Sequence, residues 1–261
     1  MTTNIPKSAV ILAAGCGSRL RPLTELRPKP LVEVNGTSIL HNALRNLEAV
    51  GVEQVTIVVG YRKDAIQYVC GSRFGGLEIS YFESSVFNRT GSAYSLWLAR
   101  ETLLSGDCFV LEGDVFFEED ALRHLMGCQS TDAAAVAPFH ELMEGSAVLL
   151  SDNGFISAFR MKQTAADLVT NGPRLFKTMN LLRFAAPTLR ATIVPALDDV
   201  IGSGATQAYT EELLAFLVER RGLKLAAVRC DDARWYEIDS TEDLRMAERI
   251  FAKLNTDRHA V

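Results

Sequence analysis

Three short stretches of this chain carry residue types and spacings that suit chemistry on phosphates. The first is Leu12-Ala13-Ala14-Gly15-Cys16-Gly17-Ser18-Arg19-Leu20, followed by Lys29 inside Arg27-Pro28-Lys29-Pro30-Leu31. A glycine-rich turn after a buried strand lets backbone N–H groups approach phosphate oxygens with no Cβ in the way. Arg19 adds a planar fork of donors and Lys29 a point charge. A magnesium-bound triphosphate is still anionic, and each close charge pair at about 4 Å and an effective dielectric of about 20 is worth roughly 4 kcal/mol before desolvation. The formal net charge is −5, so any polyanion must meet a local cluster of cations. A dinucleotide fingerprint is excluded: it needs a third glycine where Leu20 stands, and an immediate helix that Pro22, Pro28 and Pro30 forbid.

The other two stretches are acidic. Asp114 follows the apolar run Cys108–Leu111, at the carboxyl edge where open parallel sheets place ligands. An aspartate there also serves as an ordinary turn former. In Trp235-Tyr236-Glu237-Ile238-Asp239, an extended backbone puts residues 235, 237 and 239 on one face. Two carboxylates about 6.6 Å apart beside an indole then call for a cation. Magnesium, a hard ion held by one or two carboxylates plus phosphates, fits that demand. A solvated edge leading into a helix capped by Ser240 explains the same residues without it. The histidines (His41, His124, His140, His259) and cysteines (Cys16, Cys70, Cys108, Cys128, Cys230) are scattered without ligand spacing, so none is assigned chemistry. The cysteines read as reduced thiols of a cytoplasmic protein.

The first stretch, continued through Pro22-Leu23-Thr24, resembles the signature of the nucleoside-triphosphate transferases that activate sugar 1-phosphates and phosphoalcohols, L-A-A-G-x-G-S-R-L-x-P-L-T-x-x-x-P-K-P-L. The resemblance implies a GT-A-like nucleotidyltransferase fold. It also implies a nucleotide site at Leu12, Ala13, Ala14, Gly15, Gly17 and Ser18, with Arg19 and Lys29 as the catalytic cations. Val110-Leu111-Glu112-Gly113-Asp114 is similar to the family's metal-binding strand end, which adds Glu112 to the nucleotide site and makes Asp114 a magnesium ligand. Tyr236-Glu237-Ile238-Asp239-Ser240 resembles a subset, the phosphocholine and aminoalkyl- or hydroxyalkylphosphonate cytidylyltransferases, with Glu237 and Asp239 as further ligands. Thr90 to Trp97 is similar to that subset's helix beside the nucleoside, which implies contacts from Thr90 and Ser92. Phe176-Lys177-Thr178-Met179-Asn180 is close to a K-T-x-N segment of the phosphonate-linked members. Lys177, with Arg160 or Lys162, is then the expected holder of the acceptor's anion, although solvated surface cations are an equal reading of these three. Trp235 offers an aromatic face to a cationic acceptor.

The implied reaction is attack by an acceptor phosphate or phosphonate oxygen on the α-phosphorus of CTP. It yields a CMP conjugate and pyrophosphate with Mg2+ as cofactor. That oxygen is already anionic, so no general base is required, and no nucleophile–base pair is found. The alternatives are a sugar-1-phosphate nucleotidyltransferase using UTP, dTTP or GTP, and a non-catalytic nucleotide-binding subunit. The sugar branch carries a W-x-D-x-G-type element that is missing here. A dead copy has no physical need to retain mutually repelling carboxylates.

The elements that must hold these residues read as α/β. Apolar strands Ala9–Leu12, Gln54–Gly60, Leu77–Phe82 and Cys108–Leu111 alternate with helices over Ser38–Gly51, Asp64–Val69 and Ser92–Leu104. Such alternation predicts a Rossmann-like, mainly parallel but mixed sheet flanked by helices. The second half reads as strands over 133–138, 146–150, 155–159, 175–184, 223–229 and 235–239. Helices are expected over Pro187–Ile201 and Thr210–Arg221, then a last one capped by Ser240 and Asp243 with Leu244, Ala247, Ile250 and Leu254 as its stripe. No linker interrupts the 261 residues, which read as one domain: a nucleotide-binding half (1–130) and an acceptor-binding half (131–261) with the metal-binding strand. The absence of a basic face speaks against nucleic acid. No segment reaches membrane-span length, and Ala9–Ala14 is too short for a signal-peptide core. Monomer and homodimer are both compatible with this sequence.

Overall fold

The computed structural model describes residues 5–252. Fourteen strands occur among them. In chain order these are β1 (Ser8–Ala13), β2 (Glu33–Val34), β3 (Thr37–Ser38), β4 (Gln54–Val59), β5 (Arg73–Phe74), β6 (Leu77–Glu83) and β7 (Cys108–Glu112). The later ones are β8 (Val115–Phe117), β9 (Ala133–Pro138), β10 (Gly145–Leu150), β11 (Ile156–Gln163), β12 (Leu175–Phe184), β13 (Ala226–Arg229) and β14 (Trp235–Glu237). Ten of them form one mixed sheet in the order β11-β10-β12-β7-β1-β4-β6-β5, with β9 and β13 attached through β12. The block β7-β1-β4-β6 is parallel, whereas β12 runs antiparallel to β7, β9 and β10.

The parallel block is apolar on both faces because both are covered. Along β1, Ala9, Ile11 and Ala13 enter one core cluster, and Val10 and Leu12 enter the other. Helix Ile39–Ala49 lays Leu40, Ala43, Leu44 and Leu47 on the first face. Its N-cap Ser38 accepts a hydrogen bond from His41 N at 3.2 Å. Helices Ser92–Leu98, Val194–Gly202 and Thr210–Arg221 cover the second face.

Several expected elements shift. The single helix expected over 92–104 breaks at Ala99 (φ −87°, ψ 13°) into Ser92–Leu98 and Arg100–Ser105. The helix over 187–201 contains a π turn, Leu189–Ile193, which ends two residues before Pro195. Proline lacks the N–H that an α turn would use, and the wider turn accommodates it. The strand at 155–159 runs on to Gln163, and that at 223–229 begins only at Ala226. The last strand stops at Glu237, so Asp239 lies beyond it, joined to the helix Thr241–Ile250 by the expected capping box of Ser240 and Asp243. Leu254 falls outside the described residues.

Two features position the site. Strand β8 follows Asp114 directly and pairs antiparallel with β14, matching Trp235 to Phe117 and Glu237 to Val115. Ile238 N extends the ribbon to Asp114 O at 2.9 Å. Strand β12 keeps β9 along one edge but changes partner on the other, from β10 at residues 175–177 to β7 at 181–184. Asn180, with φ of 54°, marks the change.

Gly113 joins β7 to Asp114, and its N–H donates to Leu12 O at 2.9 Å. A Cβ there would lie 2.8 Å from that same oxygen. Gly113→Ala is expected to force β1 and β7 apart and lower stability by about 1–3 kcal/mol. Urea unfolding monitored by circular dichroism tests this, and an unchanged midpoint would show that the backbone has room to give.

Candidate functional site

The glycine loop leads into a 3-10 turn, Ser18–Leu20, through Gly17 in the left-handed region (φ 59°). A Cβ on Gly17 would come within 2.7 Å of Lys29 Cβ, so glycine is what lets the lysine stem pack against the loop. Thr24 Oγ1 donates to Gly17 O at 2.8 Å and fixes the return of the chain. Lys29 opens a second 3-10 turn, Lys29–Leu31, entered through Pro28.

From there the Lys29 ammonium donates to Asp114 Oδ2 at 2.9 Å and to Asp239 Oδ1 at 2.6 Å. Arg19 reaches the same Asp239 oxygen at 2.9 Å from a side chain that is 71% exposed. Burial alone would depress the lysine, but Asp114 and Asp239 outweigh it and hold the ammonium above the ordinary range. Burial would likewise raise Asp239, and Lys29 and Arg19 more than reverse that, leaving it below the usual carboxylate range.

A second cluster adjoins the first. Lys177 Nζ, almost wholly buried, donates to Glu237 Oε2 at 2.6 Å, and Asn180 Nδ2 donates to Glu237 Oε1 at 3.3 Å. Burial drives Glu237 up to about 7; Lys177 opposes the rise, while Asp114 and Asp239 add to it. Both Glu237 oxygens are engaged here, one by Lys177 and the other by Asn180. Among the described residues no three carboxylates, histidines or cysteines converge as a metal cage. What does suit magnesium is the pair Asp114 and Asp239, two hard oxygen donors already flanking one cation. Asp114 Oδ1 is buried without a hydrogen-bond partner, an acceptor available to such an ion.

The other expected residues are dispersed. Glu112 lines a cavity beside these clusters. Thr90 Oγ1 donates to Val86 O at 3.0 Å. Ser92 Oγ accepts from Thr210 N at 2.9 Å and ties its helix to the start of Thr210–Arg221. Arg160, two strands from Lys177 across the sheet, pairs with Glu219 at 3.6 Å. Lys162 is exposed, and Trp235 is half-buried against the main core. Neither Arg160 nor Lys162 is brought to the Lys177 cluster.

The MobA-like NTP transferase domain family matches residues 9–179. The chain belongs to this family. It is 33% identical to a CMP-5'-(3-aminopropyl)phosphonate synthase of Streptomyces rubellomurinus over 95% of its own length, and it spans 39% of that larger protein. A 2-aminoethylphosphonate cytidylyltransferase of Lancefieldella rimae is 33% identical over 43% of this chain and 45% of that one. In three dimensions the chain superposes on the CTP:phosphocholine cytidylyltransferase of Streptococcus pneumoniae with a TM-score of 0.75 and 23% identity, covering 93% of this chain and 98% of that chain. The fold is therefore the GT-A-like, mixed-sheet nucleotidyltransferase fold. No helix among the described residues is long and apolar enough to cross a membrane, and the five cysteines are free thiols.

Sequence reasoning missed Glu211. It lies in the first turn of the helix Thr210–Arg221, where an acid reads as a partner for the helix dipole. Only the packing of that helix on the sheet brings it to the cavity, with Ser146 Oγ donating to its Oε1 at 3.1 Å. Burial raises the Glu211 carboxyl above its ordinary value, against the hydrogen bond from Ser146. A raised folded-state value means that ionisation works against folding. This contribution is most favourable below the unfolded value of about 4.3 and is lost as pH rises through the raised one. The neutral isostere Glu211→Gln is accordingly expected to raise the melting temperature over wild type at pH 8, with the gain shrinking toward pH 4. Scanning calorimetry at both pH values checks it, and an equal difference at the two would contradict the assignment.

Proposed function

We propose that this protein is a magnesium-dependent cytidylyltransferase. It transfers CMP from CTP to a small phosphorylated or phosphonate acceptor and releases pyrophosphate. The observation that carries this reading is the buried Lys29 ammonium held between Asp114 and Asp239 at the mouth of the glycine loop. The names of the relatives, which act on aminopropylphosphonate, 2-aminoethylphosphonate and phosphocholine, support the choice of CTP and of this acceptor class.

In the proposed reaction an anionic oxygen of the acceptor forms a bond to the α-phosphorus. The bond to the bridging oxygen breaks, and its electrons leave with pyrophosphate. No proton needs to move, which agrees with a site that has no histidine among the described residues. The N–H groups of Gly15, Gly17 and Ser18 face the triphosphate, and Leu12, Ala13, Ala14, Thr90, Ser92 and Glu112 bound the nucleoside. Arg19 and Lys29 neutralise charge that builds on the leaving phosphates, and Lys177 holds the acceptor's phosphonate. Magnesium, held by Asp114 and Asp239 with Glu237 as the expected third donor, would withdraw charge from the α-phosphate. Positioning and charge stabilisation supply the rate.

The test is pyrophosphate release from each of CTP, UTP, dTTP and GTP with Mg2+ and phosphonate, phosphocholine or hexose 1-phosphate acceptors. CTP with a phosphonate or phosphocholine is the expected pair. Lys29→Ala and Asp114→Ala should each lower kcat by at least ~100-fold, the scale of losing a charge-stabilising group, with unchanged circular dichroism. EDTA should abolish turnover. Near-normal rates for either variant, or in EDTA, would overturn the reading, and a hexose 1-phosphate preference would replace the acceptor.

A further inference from the structure

The glycine loop is open where it would meet a phosphate. Among the described residues, the N–H groups of Gly15, Cys16 and Gly17 donate to no backbone carbonyl. Between Ala14 and Thr24 only Leu20 is buried. A glycine backbone left free samples many conformations, and ordering it at the moment of binding costs affinity. Whatever fastens the two limbs of the loop therefore matters to a polyanion that binds there.

One residue touches both limbs. Tyr61 follows β4 and Gly60 and is half-buried. Its N–H donates to Ala14 O at 3.0 Å, at the start of the loop, and so extends the β1–β4 pairing. Its hydroxyl donates to Thr24 O at 3.0 Å, at the return of the chain. Buried Thr24 passes the restraint inward, since its Oγ1 donates to Gly17 O at 2.8 Å. The ring is fixed from two sides. Phe87 meets it edge-on with centroids 6.2 Å apart, and the Arg62 guanidinium lies 5.8 Å from its centroid. Arg62 Nε also donates to the phenolic oxygen at 3.3 Å, which a hydroxyl can accept while donating to Thr24. Gly60 permits this closeness: a Cβ there would lie 2.7 Å from Ala14 O and 2.8 Å from Phe87 Cβ.

We propose that Tyr61 is a positioning residue for the triphosphate, a latch that holds both limbs of the glycine loop so that its open N–H groups are aimed before nucleotide arrives. The inference rests on the nucleotidyltransferase reading and adds to it a residue that acts only through Ala14, Thr24 and Gly17. The hydroxyl, rather than the ring, makes the span to Thr24. Phenylalanine would keep the packing against Phe87 and lose that span. Lys29 shares in the restraint, because its stem packs against Gly17.

The experiment follows Tyr61→Phe by hydrogen exchange of the free protein, by calorimetric binding of CTP with Mg2+, and by pyrophosphate release. Tyr81→Phe is the control, since it removes another phenol–carbonyl bond, to Gly71 O, outside the loop. The amides of Leu20 and Arg21, which donate to Gly17 O and Ser18 O, are expected to exchange about 2- to 10-fold faster in Tyr61→Phe, the scale of one neutral hydrogen bond. Exchange along β4 should not change. Kd and KM for CTP should rise by a similar factor, with KM for the acceptor constant and kcat less affected. Tyr81→Phe should move none of these. Unchanged exchange at Leu20 and Arg21, an unchanged affinity for CTP, or equal effects from Tyr81→Phe would overturn the proposal while leaving cytidylyl transfer intact. If the wild type binds no nucleoside triphosphate, the reading of function fails, and exchange alone then decides the latch: faster exchange at the two amides sustains it, and unchanged exchange removes it.

Discussion

The structure depends most on one ammonium group between two carboxylates. Lys29 comes from the second turn after the glycine loop, Asp114 from the end of a central strand, and Asp239 from beyond the last one. The side chains involved are only 12%, 18% and 25% exposed, so each charge has lost most of its water. An isolated charge at such depth is strongly unfavourable, and removing one member of a buried pair leaves the partner uncompensated. Lys29 therefore cannot be considered apart from the acids. The trio holds three distant segments at one point and carries one more acid than base. That surplus is what a divalent cation arriving with phosphates would answer.

Backbone features deliver these groups. Gly17 gives way to the Lys29 stem, and Gly113 allows β7 to end tight against Leu12 O. The β8–β14 ribbon then carries Glu237 and Asp239 back over Asp114, while a small apolar cluster of Leu20, Val32, Phe116 and Ile238 fastens that ribbon to the loop. Asn180 adopts positive φ where β12 changes neighbours, which breaks the regular sheet just where the cavity opens. The apolar core thus stays continuous while its polar exceptions collect at one edge.

How much of this is readable from residues alone follows from the range of the interactions. The buried strands and the helix at 39–49 are written in apolar periodicity and in caps such as Ser38, which act within a few positions. Lys29, Asp114 and Asp239 were legible as candidates through motif resemblance, though not their mutual contact, which spans 85 and 210 residues. Strand β8 was missed because three residues are too few to show a period. The break at Ala99 has no glycine or proline to announce it. Glu211 resembled any acid in a first helical turn, and nothing local to Glu237 reveals that Lys177 lies against it. Side chains whose partners come from other strands are silent in sequence.

The two loop cations differ in a way that bears on how a site this acidic admits a polyanion. The Arg19–Asp239 pair is exposed on the arginine side, and exposed pairs of that kind are worth about 0–1 kcal/mol. Arg19 can therefore exchange Asp239 for a phosphate at little cost, and its bidentate fork suits that partner better than a shared carboxylate oxygen. Lys29 has no such freedom, because leaving its position would expose two buried carboxylates to each other. An arriving polyanion would meet the exposed Arg19 first, with the buried Lys29 behind it. The difference follows from burial alone: the outer pair is weak because water competes for it, and the inner trio is held by charges that have lost most of their water.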